Sequence, residues 1–443
     1  MNQSVSLVKD TVVRLLGNMA NQREIEQYLK RFSSVGQSRF AVIKVGGGII
    51  QNDLENLCSS LSFLHRIGLS PIVIHGGGPQ LTDKLQQQNI TSTFKNGSRV
   101  TSAEVLKVAR KTFLKINLQL VEALQNANVK ATSISGGIFD ASLNEDTSLG
   151  FVGNVNNVHL EPILDSLKAG SIPVISSLGE TDSGQIVNIN ADVATNELVL
   201  AVKPYKIIFL TQTGGLLDGN NKIIHSINLS SDFENLISQP WVHGGMELKL
   251  KQAASILNKL PLSSSISITE PAHLAKELFT HRGSGTLIRK GETIHHFTNW
   301  NGLDKQMLKV LIENSFNKKL CADYFEQTRL SHAYVTDSYR AAALITSLEL
   351  DDSHSLPFLD KYVVADDAKG EGLGRAVWNT VREQHQQLIW RSRKHNAINQ
   401  FYFRQSDGCY KSGEWIVFWY GIREFDVIQQ CIAATLKKTA TVI

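Results

Sequence analysis

Three glycine clusters stand out as groups able to do chemistry: "IKVGGGII" at 43–50, "VIHGGGPQL" at 73–81 and "KGEGLGRAVW" at 369–378. Backbone N–H groups can converge on an anion only where side chains leave room, typically where a strand ends and a helix begins. Each cluster follows a short apolar run, so each is a candidate phosphate cradle. None is a Walker loop, because no GxxxxGK[ST] occurs, and the third is no dinucleotide loop, because Arg375 stands where the last glycine of GxGxxG belongs. Cations accompany the clusters. Lys44 ends an apolar run, where an ammonium without an anion would be costly. Arg391 and Arg393 occupy alternate positions of "LIWRSR", which on a strand turns both to one face and suits a dianionic ligand.

The elements that must hold these groups fall into two patterns. From residue 40, "FAVIKV", "SPIVIHG", "SIPVISS" and "YKIIFLT" alternate with helical stretches such as 53–67 and 103–127, the signature of a mostly parallel sheet covered by helices. After about residue 298 the order changes. "LDKQMLKVLIENSF" reads as a helix, "HAYVTD", "AAALITSLEL" and "DKYVVADD" as successive strands, and "QLIWRSR" and "WIVFWYG" as later ones, which implies an antiparallel-rich α+β domain. The boundary is expected at 290–300, with a helical arm over 1–39, a first domain over 40–290 and a second over 298–443. In the arm, the apolar spacing over 8–31 predicts an amphipathic helix that packs on its own domain or on a second subunit.

Composition limits the function classes. A chain of 443 residues with 42% hydrophobic and 19% charged content is a globular protein of two or three domains. A net charge of +4 without a long basic run argues against a nucleic-acid partner. Four cysteines without CxxC spacing argue against a disulfide framework or a zinc site. No run approaches the roughly 18 apolar residues of a membrane span. Lys9, Asp10 and Arg14 interrupt the opening stretch, so no signal-peptide core is expected there. A cytoplasmic location is expected, or the mitochondrial matrix in a eukaryote.

Further motifs turn this outline into a resemblance. Lys44 and the first two clusters are joined by "NGSRVT", "VNINADVATNEL", "FLTQTGGLLDG" and "GGMELKLKQA" in that order. Over about 40–290 the chain resembles the amino acid kinase family, and within it the arginine-sensitive N-acetylglutamate kinases. The strand "YVVA" followed by "KGEGLGRAVW" resembles the [RQ]-x-x-G-x-[GA] pyrophosphate loop of GNAT acetyltransferases, with Lys369 where Arg or Gln is usual. "FLDKYVV", "LIWRSRKHNAINQFYFRQSDG" and "EWIVFWYG" resemble the acetyltransferase domain of vertebrate-type N-acetylglutamate synthases. Together these motifs resemble the fused bacterial synthase/kinases. The implied fold is an α/β/α sandwich of the amino acid kinase type followed by an α+β GNAT domain.

The resemblance implies roles residue by residue. In the first domain Gly46, Gly47, Gly76 and Gly77 would cradle the transferred phosphoryl group, with Lys44 and Lys249 neutralising it and Asp192 holding both lysines. Thr211 and Gly214, in 211–217, would lie against ATP, whose phosphates carry Mg²⁺. Gly77, Gly78, Arg99 and Asn188 would bind N-acetyl-L-glutamate. An acceptor carboxylate with a reference pKa of about 4.3 is already ionised at neutral pH, so no general base is required. In the second domain Lys361 and Tyr402 would be the catalytic pair, Tyr402 protonating the departing thiolate. Lys369, Gly370, Gly372, Gly374 and Arg375 would bind acetyl-CoA, and Lys318 or Lys319 with Arg391, Arg393 and Asn396 would bind L-glutamate. Inhibitory L-arginine would sit near Glu277, Gly283 and Gly285, and a homo-oligomer, a tetramer, is implied.

Read by their types alone, several of these residues have plainer roles. Lys249 is a solvated helix lysine, Asp192 a helix N-cap, Tyr402 a core aromatic, and Trp390, Trp415, Phe418 and Trp419 are core. Two other functions remain open: a kinase whose second domain only regulates or assembles, and a synthase whose kinase-like domain only binds arginine. Lys44, both clusters, Asp192 and Lys249 speak against the last.

Overall fold

A computed structural model describes residues 32, 39–95, 97–279, 284–350, 355–369 and 371–442. The helix expected over 8–31, Gly283 and Gly370 lie outside them. The chain divides into two units, Met1–Lys290 and Gly291–Ile443.

In the first unit the strands are β1 (Ala41–Val45), β2 (Ile72–His75), β3 (Phe94–Lys95), β4 (Ser98–Arg99), β5 (Ala131–Ile134), β6 (Phe139–Leu143), β7 (Gly153–Val158), β8 (Ile172–Ser176), β9 (Leu178–Glu180), β10 (Ile186–Asn188), β11 (Lys206–Leu210), β12 (Ser226–Asn228), β13 (Ser265–Thr269) and β14 (Thr286–Arg289). The main sheet has the order β12-β14-β13-β11-β1-β2-β8-β5, parallel except where β13 meets β14. Alternation along β1 explains the sandwich. Ile43 and Val45 face the core shared with helices Leu54–Arg66 and Ala103–Asn126, while Val42 faces the core shared with Ala191–Val202 and Gly244–Asn258. The order runs outward on both sides of β1, so loops leaving the carboxyl ends of β1 and its neighbours open a crevice there, where open α/β sheets bind ligands. A separate four-stranded sheet, β10-β9-β6-β7, carries Asn188 at the end of β10, and the β3–β4 hairpin carries Arg99. Neither is foreshadowed by the parallel pattern.

The second unit adds β15 (Ile294–Phe297), β16 (Leu330–Thr336), β17 (Ala341–Glu349), β18 (Ser355–Val364), β19 (Leu388–Arg393), β20 (Gly408–Ser412) and β21 (Trp415–Tyr420) in the order β15-β16-β17-β18-β19-β21-β20. Its edge strand β15 pairs with β16 and belongs to this second unit. Every pairing is antiparallel except β18 with β19, which pair only at Phe358–Ile389 and Leu359–Trp390. Beyond those two rungs the strands part. A bulge falls at the same place: Leu344 of β17 opposes Lys361 and Ile345 opposes Leu359, leaving Asp360 as the extra residue. Helix Asn399–Gln405, which carries Tyr402, was not expected from the sequence.

Candidate active sites

Four strands of the first unit end in register, with Val45 beside both Leu210 and His75, and Leu210 beside Thr269. Beyond β1, extended Gly46 caps helix Gly47–Asn52; beyond β2, Gly77 caps helix Gly78–Gln87. The Gly76 N–H donates to the Val45 carbonyl at 3.1 Å, and Gln80 Nε2 donates to the Gly47 carbonyl at 2.7 Å, tying one loop to the other. The glycines divide by purpose. A Cβ on Gly47 would lie 2.4 Å from Gln80 Oε1, and one on Gly77 would lie 2.6 Å from Ile116 Cδ1, so these two are glycine because the loops pack tightly. A Cβ on Gly78 would meet nothing and one on Gly46 only the Leu210 carbonyl at 4.0 Å, so there the backbone faces open space.

Lys44, the last residue but one of β1, has its Nζ 2.9 Å from Asp192 Oδ1. Asp192 lies in the first turn of helix Ala191–Val202, whose cap is Asn190, the acceptor for the Asp192 N–H at 2.8 Å. The plain N-cap role thus belongs to Asn190 and leaves the Asp192 carboxylate for Lys44. Lys249 is exposed on helix Gly244–Asn258 and makes no ion pair with the described residues, so Asp192 holds one lysine rather than both.

Arg99 is buried beside the second loop: Nη2 donates to Thr82 Oγ1 at 2.7 Å and to the Gly78 carbonyl at 3.3 Å, and the guanidinium lies over Phe94 at 4.5 Å. Burial lowers its pKa from the ordinary guanidinium value. Asn188 joins it indirectly, donating to Thr101 Oγ1 at 3.1 Å, which donates to the Arg99 carbonyl at 2.8 Å.

Past β11, the Thr211 N–H donates to the Thr269 carbonyl at 2.9 Å, and Gly214 takes the left-handed conformation at φ +70. A Cβ on Gly285 would lie 2.0 Å from the Ile268 carbonyl oxygen and 2.8 Å from that of Gly214, so Gly285 abuts the expected nucleotide segment. Buried Glu277 accepts the N–H groups of Ser284 and Gly285 at 2.9 and 3.0 Å through one oxygen. That oxygen therefore already holds the turn.

In the second unit, Lys361 is buried where β18 and β19 part. Its Nζ donates to Asp360 Oδ2 and to Thr441 Oγ1, both at 2.6 Å, and lies 4.8 Å from the Tyr324 ring centroid. The Tyr324 hydroxyl also donates to Asp360 Oδ2 at 2.6 Å; burial and then the Asp360 charge push its pKa well above the phenol value. Arg391 gives Nη1 to the Thr435 carbonyl and Nη2 to the Thr439 carbonyl, each at 3.0 Å. Burial lowers its pKa, with Asp360 opposing and Arg393 assisting. Arg391 and Arg393 lie over Trp415 at 4.1 and 4.3 Å, so Trp415 is a platform for two cations rather than plain core.

Tyr402 packs against Trp390 and Phe418, both at 5.6 Å, in the core shared with Tyr362. Burial, then Tyr362, pushes its pKa far above the usual phenol value. Lys361 and Tyr362 are neighbours on β18 that turn to opposite faces, so Lys361 and Tyr402 are not on one face. Asn396 serves the turn before Tyr402, its Oδ1 accepting the Ile398 N–H at 3.3 Å. Lys318 and Lys319 are exposed, and Lys319 points to Glu313 at 3.4 Å rather than toward Lys361.

The third glycine loop shows the same division of labour. Gly372 takes φ +86 as the cap of helix Leu373–Gln384, and a Cβ on Gly374 would lie 2.9 Å from Val364 Cγ2 and 3.0 Å from the Tyr362 hydroxyl. Arg375 lies in the first turn of that helix, and exposed Lys369 pairs with Asp366. Glu371 is bonded to Arg340 Nη2, and Arg340 Nη1 lies 3.3 Å from Glu292. Asp360, Tyr324, Thr441 and Arg340 leave no mark in the sequence, apart from the "DK" step at 360–361.

Comparison with known proteins follows the same division. Residues 39–265 match the amino acid kinase family, and residues 295–438 match the N-acetyltransferase of N-acetylglutamate synthase. An acetylglutamate kinase of Xanthomonas campestris is 55% identical over 96% of this chain and 100% of its own. The mitochondrial N-acetylglutamate synthase of Homo sapiens is 31% identical over 95% of this chain and 76% of its own. Among solved structures, the N-acetylglutamate synthase of Neisseria gonorrhoeae complexed with coenzyme A and N-acetyl-glutamate aligns with a TM-score of 0.63 at 17% identity, covering 91% of this chain and 98% of that one.

Proposed function

The chain belongs to the amino acid kinase family and carries an N-acetyltransferase of the N-acetylglutamate synthase type as its second unit, and from this we propose a bifunctional enzyme of arginine biosynthesis. It would acetylate L-glutamate from acetyl-CoA and then phosphorylate the product from ATP. The observation that carries the reading is the placing of anion-receiving groups in two separate units, each at a strand end that opens a glycine-led helix.

For phosphoryl transfer, the acceptor carboxylate is the nucleophile and no proton needs to leave it. Lys44, fixed by Asp192, would neutralise the phosphoryl oxygens with Lys249, while the open backbone at Gly46 and Gly78 would offer N–H groups. Arg99 would pair with the other carboxylate, Asn188 would hydrogen-bond the substrate, and Thr211 and Gly214 would border the nucleotide. Mg²⁺ would be held through the ATP phosphates, sharing their charge.

For acetyl transfer, a neutral glutamate amine attacks the thioester carbonyl. The N–C bond forms, the C–S bond breaks, the thiolate takes a proton from a donor, and the proton that the nitrogen sheds restores that donor. Tyr402 would be that donor: its phenol holds a proton at neutral pH, although burial raises its pKa and so makes it a weaker acid than a free phenol. Lys361 would be the other member of the catalytic pair, and Arg391, Arg393 and Asn396 would orient glutamate, with Lys318 or Lys319 reaching in from the surface. Lys369 and the loop 370–375 would take the coenzyme A pyrophosphate. Arginine would inhibit from the neighbourhood of Glu277 and Gly285, and the protein would work as a homo-oligomer.

One coupled assay with glutamate, acetyl-CoA and MgATP, titrated with arginine, tests the whole. Wild type should form both N-acetylglutamate and acyl phosphate and slow as arginine rises, and Tyr402→Phe should lose only acetyl transfer. A wild type that leaves acetyl-CoA unconsumed would favour a regulatory second unit. That alternative has one observation in its favour: Lys361 and Arg391 are engaged by residues 435–441 of their own chain.

A further inference from the structure

We propose that Asp360 is a positioning residue for acetyl transfer, acting through Lys361; the proposal rests on the synthase reaction above. In a regular strand Asp360 and Lys361 would point to opposite faces. Because Asp360 is the extra residue of the bulge, the two share a face, and a single oxygen, Oδ2, receives both the Lys361 ammonium and the Tyr324 hydroxyl at 2.6 Å each.

The surroundings make that carboxylate necessary. Lys361 is 4% exposed, and a buried ammonium needs a counter-charge. Its other charged neighbourhood is mainly positive: Arg391 and Arg393 from β19 and Lys438 beyond helix Phe425–Lys437, with Glu349 at the end of β17 as the further acid. Glutamate entering with two carboxylates would be held by the arginines. Lys361 would then be drawn toward the substrate unless something fixes it where the two strands part. Asp360, anchored by Tyr324 and facing Thr441 across the ammonium, supplies that fixed point on the only bulged residue of β18. The bulge and the gap coincide, so one irregularity both opens the site and aims its lysine.

The test is a double-mutant cycle in the full chain, read on acetyl transfer, with a crystal structure of Asp360→Asn. Asparagine keeps the shape and removes the charge. The synthase kcat should fall on the order of tenfold to a hundredfold, as expected for a displaced catalytic group, while the KM for acetyl-CoA and the kinase rate stay unchanged. On a Lys361→Met background the same change should add little further loss, and Tyr324→Phe, which keeps the Asp360–Lys361 pair, should cost less than Asp360→Asn. In the crystal Lys361 Nζ should leave its contact with Thr441. An undiminished kcat, an equal loss with and without Lys361, or an unmoved Lys361 each overturns the proposal. Should Asp360→Asn fail to bind acetyl-CoA, Asp360→Glu, which restores the charge, must recover the kcat that asparagine loses, and failure to do so also overturns it. A wild type inactive in acetyl transfer would instead sink the synthase reading, and the crystal comparison would still decide whether Asp360 holds Lys361.

Discussion

Gly47 and Gly78 look alike in the sequence, each inside a GGG run, yet they answer to different forces. Any side chain at 47 meets Gln80 Oε1, and any at 77 meets Ile116 and Phe113 of helix Ala103–Asn126, whereas 78 opens to space. Gly47→Ala and Gly77→Ala should therefore lower stability by about 1–3 kcal/mol through overpacking, readable as a shift in urea midpoint. Gly78→Ala should leave the midpoint nearly unchanged and act, if at all, on the kinase KM. A Gly78→Ala as destabilising as Gly77→Ala would refute the division. This is also where sequence reading reaches its limit. Residue type and spacing pointed to Lys44, both loops and the paired arginines, and the resemblance added Asp192. Whether a glycine serves packing or ligand depends on atoms more than thirty positions away, Gln80 for Gly47 and Phe113 for Gly77, which no local pattern encodes.

At the scale of elements, the loops are held from behind. The third glycine loop has Glu371 tied to Arg340, which leans on Glu292, so three residues from separate parts of the unit fix one turn. Arg340→Gln should raise the KM for acetyl-CoA several-fold and destabilise the second unit by roughly 3 kcal/mol, since two buried carboxylates lose a partner; kinase kinetics should not change. Normal acetyl-CoA binding in that variant would show the tether to be incidental. The strands around it were legible because "AAALITSLEL" and "YVVA" are long apolar runs. Helix Asn399–Gln405 was not, because seven residues give too few turns for a helical period to emerge, and its aromatic run FYF reads equally well as strand. The bulge at Asp360 left no mark either, since a bulge is a count of residues against a partner strand.

Across the whole molecule, acid should weaken both units for the same reason. In the first, His75 is fully buried at the end of β2, with Nδ1 3.2 Å from the Gly76 carbonyl and Nε2 3.2 Å from Asn117 Nδ2; burial pulls its pKa down to about 4, against a small opposing effect of the Gly76 contact. In the second, His385 is also held at about 4, by burial and then by the neighbouring His332 and His296. The unfolded chain takes up a proton near pH 6.5 while the folded chain stays neutral until about pH 4. Stability is thus complete above pH 6.5 and falls steadily as the pH drops toward 4. For His75 the full loss is on the order of 3 kcal/mol; His385, less completely enclosed, should contribute less. Urea melts between pH 7.5 and 4.5 should show this slope, and His75→Asn should flatten it whatever it does to stability at neutral pH. An unchanged slope in that variant would mean that His75 is not a group whose exclusion from protons makes the fold sensitive to acid.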